Sequence, residues 1–290
     1  MPVQTLAGEY AGFFIALVTI LGLVVGSFLN VVIHRIPLMM QNGWRRDCCE
    51  LLEVENQADS ETYNLLKPDS HCPKCKTPIK PWQNIPILSF LFLKGRCGQC
   101  SEPISIRYPI VELCTGLLSG YIAFTYGYSE QAFAALLLTW ALVSLTMIDV
   151  DHQLLPDNIT LPLLWAGILI NSHGVFTDLS SAVFGAMAGY LVLWSVYWLF
   201  KILTGKEGMG YGDFKLLAAL GAWMGWQALP LIIILSSLVG AVIGIAGILI
   251  QGRDKNIPIP FGPYLAIAGW IALIWGDTIT QHYLQFSGLQ

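Results

Sequence analysis

Two aspartates and four cysteines stand out in a sequence otherwise poor in charge. Asp149 ends an apolar run in Ile148-Asp149-Val150-Asp151-His152, with Asp157 shortly after it. Asp213 closes Gly210-Tyr211-Gly212-Asp213, directly before another apolar run. Acidic groups beside hydrocarbon are costly and mark function where they occur. Two carboxylates brought together do not both ionise readily, so the pair keeps one shared proton. One can then take a proton from a water that attacks a peptide carbonyl, while the other donates to the carbonyl oxygen and later assists the leaving amine. No metal is needed. Asp213 is slightly preferred as the initial base, because a helix start stabilises negative charge. The position of the proton is not assigned by sequence. The bland alternatives are a helix cap for Asp213 and solvated loop acids for Asp149, Asp151 and Asp157. Gly210 and Gly212 lack Cβ, which permits positive φ and the close approach of another backbone such as an extended peptide.

The cysteines form two knuckles, Cys72-Pro-Lys-Cys75 and Cys97-Gly-Gln-Cys100, separated by 21 residues. Four thiolates so arranged suit tetrahedral zinc. Four protein ligands leave no open position, so such an ion holds a fold together rather than catalysing. The separation slightly exceeds the usual zinc-ribbon spacing, and free thiols or disulfides are the alternative. A reducing compartment disfavours the disulfides. Cys48, Cys49 and Cys114 read as free thiols.

The composition says what must carry these groups. The chain has 290 residues, 55% of them hydrophobic and 12% charged, with a mean hydropathy of +0.61. Soluble domains carry about 25% charge, which excludes an ordinary cytosolic globule, a disordered tail and a disulfide-knotted secreted module. The net charge of -4 comes without the basic stripe that nucleic-acid binding needs, so no nucleic-acid partner is expected. The expected fold is an all-α polytopic membrane protein embedded in a lipid bilayer. Eight apolar runs long enough to be considered as spans cover 13–33, 108–126, 132–148, 159–170, 182–200, 214–226, 229–250 and 261–276. The fourth and sixth are short, which implies tilt, a thinned bilayer or a place inside the bundle.

All fifteen basic residues fall in or immediately around the first, fifth and seventh connections, the last holding Arg253 and Lys255. The positive-inside rule then puts those connections in the cytoplasm and both termini in the periplasm. Both aspartate segments belong to the cytoplasmic face. Residues 1–12 have no basic n-region, so the first span reads as a retained anchor rather than a signal peptide. Three regions follow: an N-terminal segment with the first span (1–33), a polar insert with the tetracysteine site (34–107), and a helical bundle carrying the aspartates (108–290).

The chain resembles the bacterial type IV prepilin peptidases, bifunctional leader peptidases and N-methyltransferases, over nearly its whole length. The resemblance rests on Gly26-Ser-Phe-Leu-Asn30 with His34-Arg35-Ile36-Pro37, the four cysteines, the Asp149 segment, Gly210-Tyr-Gly-Asp213, and Pro260-Phe-Gly-Pro263 before the last span. It implies an aspartic endopeptidase of the inner membrane, with Asp149 and Asp213 as the catalytic pair. The implied substrates are prepilins and the pseudopilins of type II secretion. Their short basic leader would be cut at the cytoplasmic membrane edge, after a glycine and before a residue that is usually phenylalanine. The resemblance further implies methylation of the new N-terminus by S-adenosylmethionine, with residues around Lys94-Gly95-Arg96-Cys97 as contributors. No glycine-rich nucleotide fingerprint is present, so methylation rests on resemblance alone. Presenilins and archaeal preflagellin peptidases share the GxGD logic, but the cysteine insert favours the bacterial branch.

Two other classes remain at this stage. A proton- or cation-coupled transporter would use the same acids as ion sites, and a zinc hydrolase would use the cysteine site directly. Among further polar residues, Asn30 and His34 share a helix face, suited to hydrogen bonding within the bundle more than to substrate contact. Glu112 lies one turn inside the second span, placed for headgroups or a cleft. Lys215 is placed to pair with Asp213 or to snorkel. Trp223, Trp226, Trp270 and Trp275 are expected in interfacial belts.

Overall fold

A computed structural model describes residues 3–54, 63–251 and 260–288 of the chain. Arg253 and Lys255 lie outside the described residues. Among those described there is no strand, only two isolated bridges, His71 with Pro78 and Arg96 with Pro103. The helices are α1 (Val3–Leu51), α2 (Leu88–Phe92), α3 (Arg107–Tyr126), α4 (Glu130–His152), α5 (Asp157–Asn171), α6 (Leu179–Thr204), α7 (Tyr211–Met224), α8 (Leu229–Gln251) and α9 (Gly262–Phe286). Each of the eight apolar runs falls on its own helix, and only the short α2 is extra.

The helices α1, α4, α6 and α8 are long and apolar enough to cross a membrane by themselves. At 15 and 14 residues, α5 and α7 extend only about 22 Å, against about 30 Å of hydrocarbon. For α7 the reason is its place. It buries Asp213, Phe214 and every residue from Leu216 to Trp223, so protein rather than lipid sets its length. Trp223 is therefore no interfacial anchor. It is fully buried and donates its indole N–H to the carbonyl of Leu163 at 2.8 Å, which satisfies the one polar atom of the ring.

The contacts divide the chain into two units, Met1–Ala132 and Phe133–Gln290. In the first, α1 does not stop where its apolar run ends but continues through Pro37 to Leu51. The continuation is rich in Leu, Met, Gln, Arg and Glu, residues that lose little on entering a helix. Small residues four apart join α1 to α3: Gly22 and Gly26 on one, Gly116 and Gly120 on the other. A Cβ at Gly26 would lie 2.8 Å from the Cα of Glu112, and one at Gly116 2.5 Å from the Leu23 side chain. This spacing brings two backbones close where lipid offers no hydrophobic push. Thr115 and Ser119 donate their hydroxyls to carbonyls of their own helix at 2.7 Å, leaving no polar atom loose in the seam. Asn30 donates to the Tyr108 carbonyl at 3.1 Å, the bundle role rather than a substrate contact.

In the second unit α7 is the hub, touching α5, α6, α8 and α9. α6 is opened by Asp178, whose side chain accepts the Ser181 N–H at 2.9 Å. It is closed by Gly205 at φ +70°, a left-handed C-cap that glycine adopts without steric cost. Where α6 crosses α7, Gly185 and Gly221 meet backbone to backbone, and a Cβ on either would strike the other's carbonyl. Overpacking a close seam costs about 1–3 kcal/mol, occasionally more. Gly221→Leu is accordingly expected to lower the thermal midpoint of the purified protein by several degrees, measured by a scanning melt in detergent. An unchanged midpoint would contradict this seam.

Candidate active site and metal centre

The two aspartates come from different helices and line one cavity of about 180 Å³. Asp149 sits on the last turn of α4 and Asp213 on the first turn of α7; both are buried. Each has one oxygen held by a backbone amide. Gly262, the first residue of α9, donates its N–H to Asp149 Oδ2 at 3.0 Å. Gly210 donates to Asp213 Oδ2 at 3.1 Å. Asp213 thus does cap its own helix, and it lines the same cavity as Asp149.

The turn between α4 and α5 supplies part of the cavity wall through Gln153 and Leu155. Gln153 takes φ +52° and donates its N–H to the Asp149 carbonyl at 2.9 Å. The chain then reverses, and Leu155 is wedged between two glycines. A Cβ on Gly212 would lie 2.7 Å from the Leu155 Cβ; one on Gly262 would lie 2.7 Å from Asp149 Oδ2 and 3.0 Å from Leu155. Neither Gly210 nor Gly212 has positive φ. At Gly212 the absent Cβ admits a leucine side chain rather than an extended peptide.

The remaining acids separate cleanly. Asp157, the first residue of α5, holds the Lys215 ammonium at 2.6 and 2.7 Å, so that lysine pairs with Asp157 and not with Asp213. Asp151 is exposed and does not line the cavity. Glu207, at the cavity mouth, is hydrogen-bonded at 2.8 Å to Lys201. That ammonium holds its carboxyl below the usual range. Glu207 is therefore ionised at neutral pH and does not compete for a dyad proton. Leu155, Glu207 and Gly262 were not singled out by reading residue types, although the glycine between two prolines in Pro260-Phe-Gly-Pro263 was visible before the last span.

In the first unit, the sulfurs of Cys72, Cys75, Cys97 and Cys100 all lie within 4.8 Å of one another, with Cys72 and Cys100 3.7 Å apart. A tetrahedral ion with metal–sulfur bonds of about 2.3 Å requires sulfurs about 3.8 Å apart, so the four can hold a metal ion. The two knuckles repeat each other. In the first, Lys76 N–H reaches the Cys72 carbonyl at 2.9 Å and Cys72 N–H the Thr77 carbonyl at 3.0 Å. In the second, Ser101 N–H reaches Cys97 at 3.0 Å and Cys97 N–H reaches Glu102 at 2.8 Å. Lys76 and Ser101 share a left-handed φ of 56° and 59°. Lys74 and Glu102 form an ion pair between the knuckles. Cys48, Cys49 and Cys114 stay outside the cluster.

Thr77, by its hydroxyl and then its N–H, lowers the Cys75 thiol to about 6. At Cys100 the Glu102 amide works in the same direction, but burial and the neighbouring sulfurs outweigh it and push the thiol up to about 11. In the same unit, Arg35 is buried and its guanidinium ties α1 to the loop that precedes the first knuckle, donating to the carbonyls of Asn64 at 2.9 Å and Pro68 at 2.6 Å. Glu112 is also buried and accepts the Ile87 N–H at 2.8 Å, which makes it an internal strut rather than a headgroup contact.

Two sequence profiles match the chain: the bacterial peptidase A24 N-terminal domain over residues 20–126, and the type IV leader peptidase family over residues 136–245. Curated relatives named prepilin leader peptidase/N-methyltransferase span almost its full length. The protein of Stutzerimonas stutzeri is 59% identical over 99% of both chains. That of Pseudomonas aeruginosa is 56% identical over 100% of both. The chain belongs to the type IV leader peptidase family. A more distant relative of the same name, from Neisseria gonorrhoeae, is 52% identical over 92% of both chains. No solved structure matches. As a family member the chain is a multi-pass protein of the inner membrane, in keeping with its four long apolar helices.

The glycine at the head of α9 gives a sharp test of this geometry. Gly262→Ala is expected to cut peptidase turnover by more than about tenfold and, by crowding Leu155, to lower the melting midpoint by a few degrees. Kinetics of the purified variant alongside that midpoint check it, and full activity would contradict the proposed packing.

Proposed function

We propose that the chain is a membrane aspartic endopeptidase that removes the short leader of type IV prepilins and type II secretion pseudopilins, then methylates the new N-terminal residue. One observation carries the peptidase half. Asp149 and Asp213 arrive on separate helices, line a single cavity, and are each anchored through one oxygen by a backbone amide. Such a pair holds one proton between two carboxylates. The ionised partner takes a proton from water as that water's oxygen bonds to the scissile carbonyl carbon. The protonated partner gives its proton to the carbonyl oxygen, forming a tetrahedral diol. When the C–N bond breaks, the nitrogen takes the proton of one carboxyl while a diol hydroxyl gives its proton to the other carboxylate as the C=O re-forms, so the pair again holds one proton.

The relatives' names support methylation, for which S-adenosylmethionine is the cosubstrate. No residue of this chain is assigned to it. The positive-inside distribution supports a cytoplasmic catalytic face with both termini in the periplasm. We further propose that the cysteine cluster holds zinc through Cys72, Cys75, Cys97 and Cys100. The ion would hold together the polar insert, 34–107 by charge pattern, which in sequence follows 1–33 and precedes the bundle of 108–290. When bound it supplies cross-linking, with no position open for a reactant. A transporter reading places its acids at mid-membrane, whereas here both stand on the terminal turns of their helices.

Mass spectrometry of a prepilin incubated with the purified protein tests the dyad. Asp149→Asn and Asp213→Asn are each expected to lower leader removal by at least about 10²-fold while the protein stays folded and membrane-inserted. Normal processing by either variant would end this assignment. With S-adenosylmethionine present, the product of the unsubstituted protein should gain one methyl mass.

The metal has its own signature. Protons compete with the ion for thiolates. Elemental analysis should find one zinc per chain at pH 7, progressive loss on acidification, and none in Cys97→Ser. Zinc content insensitive to both changes would exclude the cluster as its site.

A further inference from the structure

Beside the dyad cavity lies a larger one of about 370 Å³, within the range of small-ligand sites. Its walls are apolar: Leu193 and Val196 of α6, Ser237 of α8 and Tyr264 of α9, together with Met209 and Phe261. Met209 and Phe261 also line the dyad cavity, so the two spaces lie side by side across a shared wall. Gly240 of α8 makes room for an aromatic wall, because a Cβ there would lie 3.1 Å from the Tyr264 ring. Val192 and Val196 line the cavity and are 41% and 47% exposed, which opens it on the outer face of α6.

We infer that this cavity binds the apolar side chains that follow the scissile amide in the substrate polypeptide. The inference rests on the peptidase reading and adds to it the place where the membrane-embedded part of the substrate is held. A polypeptide with one amide at the dyad continues in two directions. The dyad cavity's mouth carries the charged Glu207 with its Lys201 partner, which suits a polar stretch. On the Met209–Phe261 side the neighbouring space is apolar, which suits an apolar one. Entry through the open face of α6 lets a membrane helix arrive sideways without leaving hydrocarbon. A lipid acyl chain is the competing occupant, and it would have no bearing on cleavage.

The test uses the full-length protein in nanodiscs. One peptide probe carries a prepilin leader, the cut and the following apolar stretch; a second stops two residues after the cut. Ser237→Phe fills the cavity, while Leu238→Phe adds the same ring at a neighbouring position that does not line it. Losing the burial of an apolar side chain corresponds to about tenfold or more in affinity. Ser237→Phe is therefore expected to raise KM for the long peptide about tenfold with kcat little changed, and to leave the short peptide's kinetics alone. Leu238→Phe should change neither. A photoreactive benzophenone side chain at Val196, placed in an Asp213→Asn background, should cross-link the long peptide, a readout that survives if Ser237→Phe fails to fold.

Equal kinetics for Ser237→Phe and Leu238→Phe on the long peptide, or a cross-link to lipid alone, overturns the cavity assignment and leaves the peptidase reading standing. Failure of the unsubstituted protein to cleave the long peptide overturns both.

Discussion

A buried carboxylate held by the backbone amide of a residue 113 positions away is the constraint around which the second unit is built. Asp149 ends one helix and Gly262 begins another, and the N–H between them gives the acid a fixed partner in a region poor in water. An ionised or proton-sharing carboxylate in such surroundings is tolerated only when its hydrogen bonds are supplied in advance. Asp213 has the same arrangement on a shorter loop, from Gly210. Two amides thus stand in for solvent, and each leaves the rest of its carboxylate to the cavity.

Packing around those acids follows from the same need. Leu155 occupies the space that side chains on Gly212 and Gly262 would take, so the turn after α4, the head of α7 and the head of α9 are locked by one leucine. The ion pair of Lys215 with Asp157 fastens α7 to the start of α5 on the outside of that lock. Deeper in the bundle, the bare contact of Gly185 with Gly221 lets α7 sit against α6 at backbone distance. The result is a short, almost wholly buried helix presenting one acid at its mouth.

Much of this was legible in the residues. Apolar runs located eight long helices, and the two CxxC pairs marked the cluster that the fold brings together. The acids flanking apolar runs gave the pair that meets in one cavity. What escaped detection depends on chain crossings. That Lys215 reaches Asp157 rather than Asp213 depends on where α5 begins relative to α7. That Trp223 is buried depends on the Leu163 carbonyl lying within reach, whereas a tryptophan near a helix end reads equally well as an interfacial anchor. The roles of Gly212 and Gly262 need Leu155, which nothing in a local motif connects to both. The repeat of the two knuckles was readable, since Cys72-x-x-Cys75-x-x-Pro78 and Cys97-x-x-Cys100-x-x-Pro103 align residue for residue.

The long first helix bears on how the protein is anchored. Its 49 residues measure about 74 Å along the axis, more than twice the hydrocarbon thickness of about 30 Å. A large part of it must project as a mast, and Arg35 lashes the loop carrying Asn64 and Pro68 to that mast at its foot. One guanidinium thereby spares the loop from relying on its own packing, since two of its carbonyls are moored to the helix.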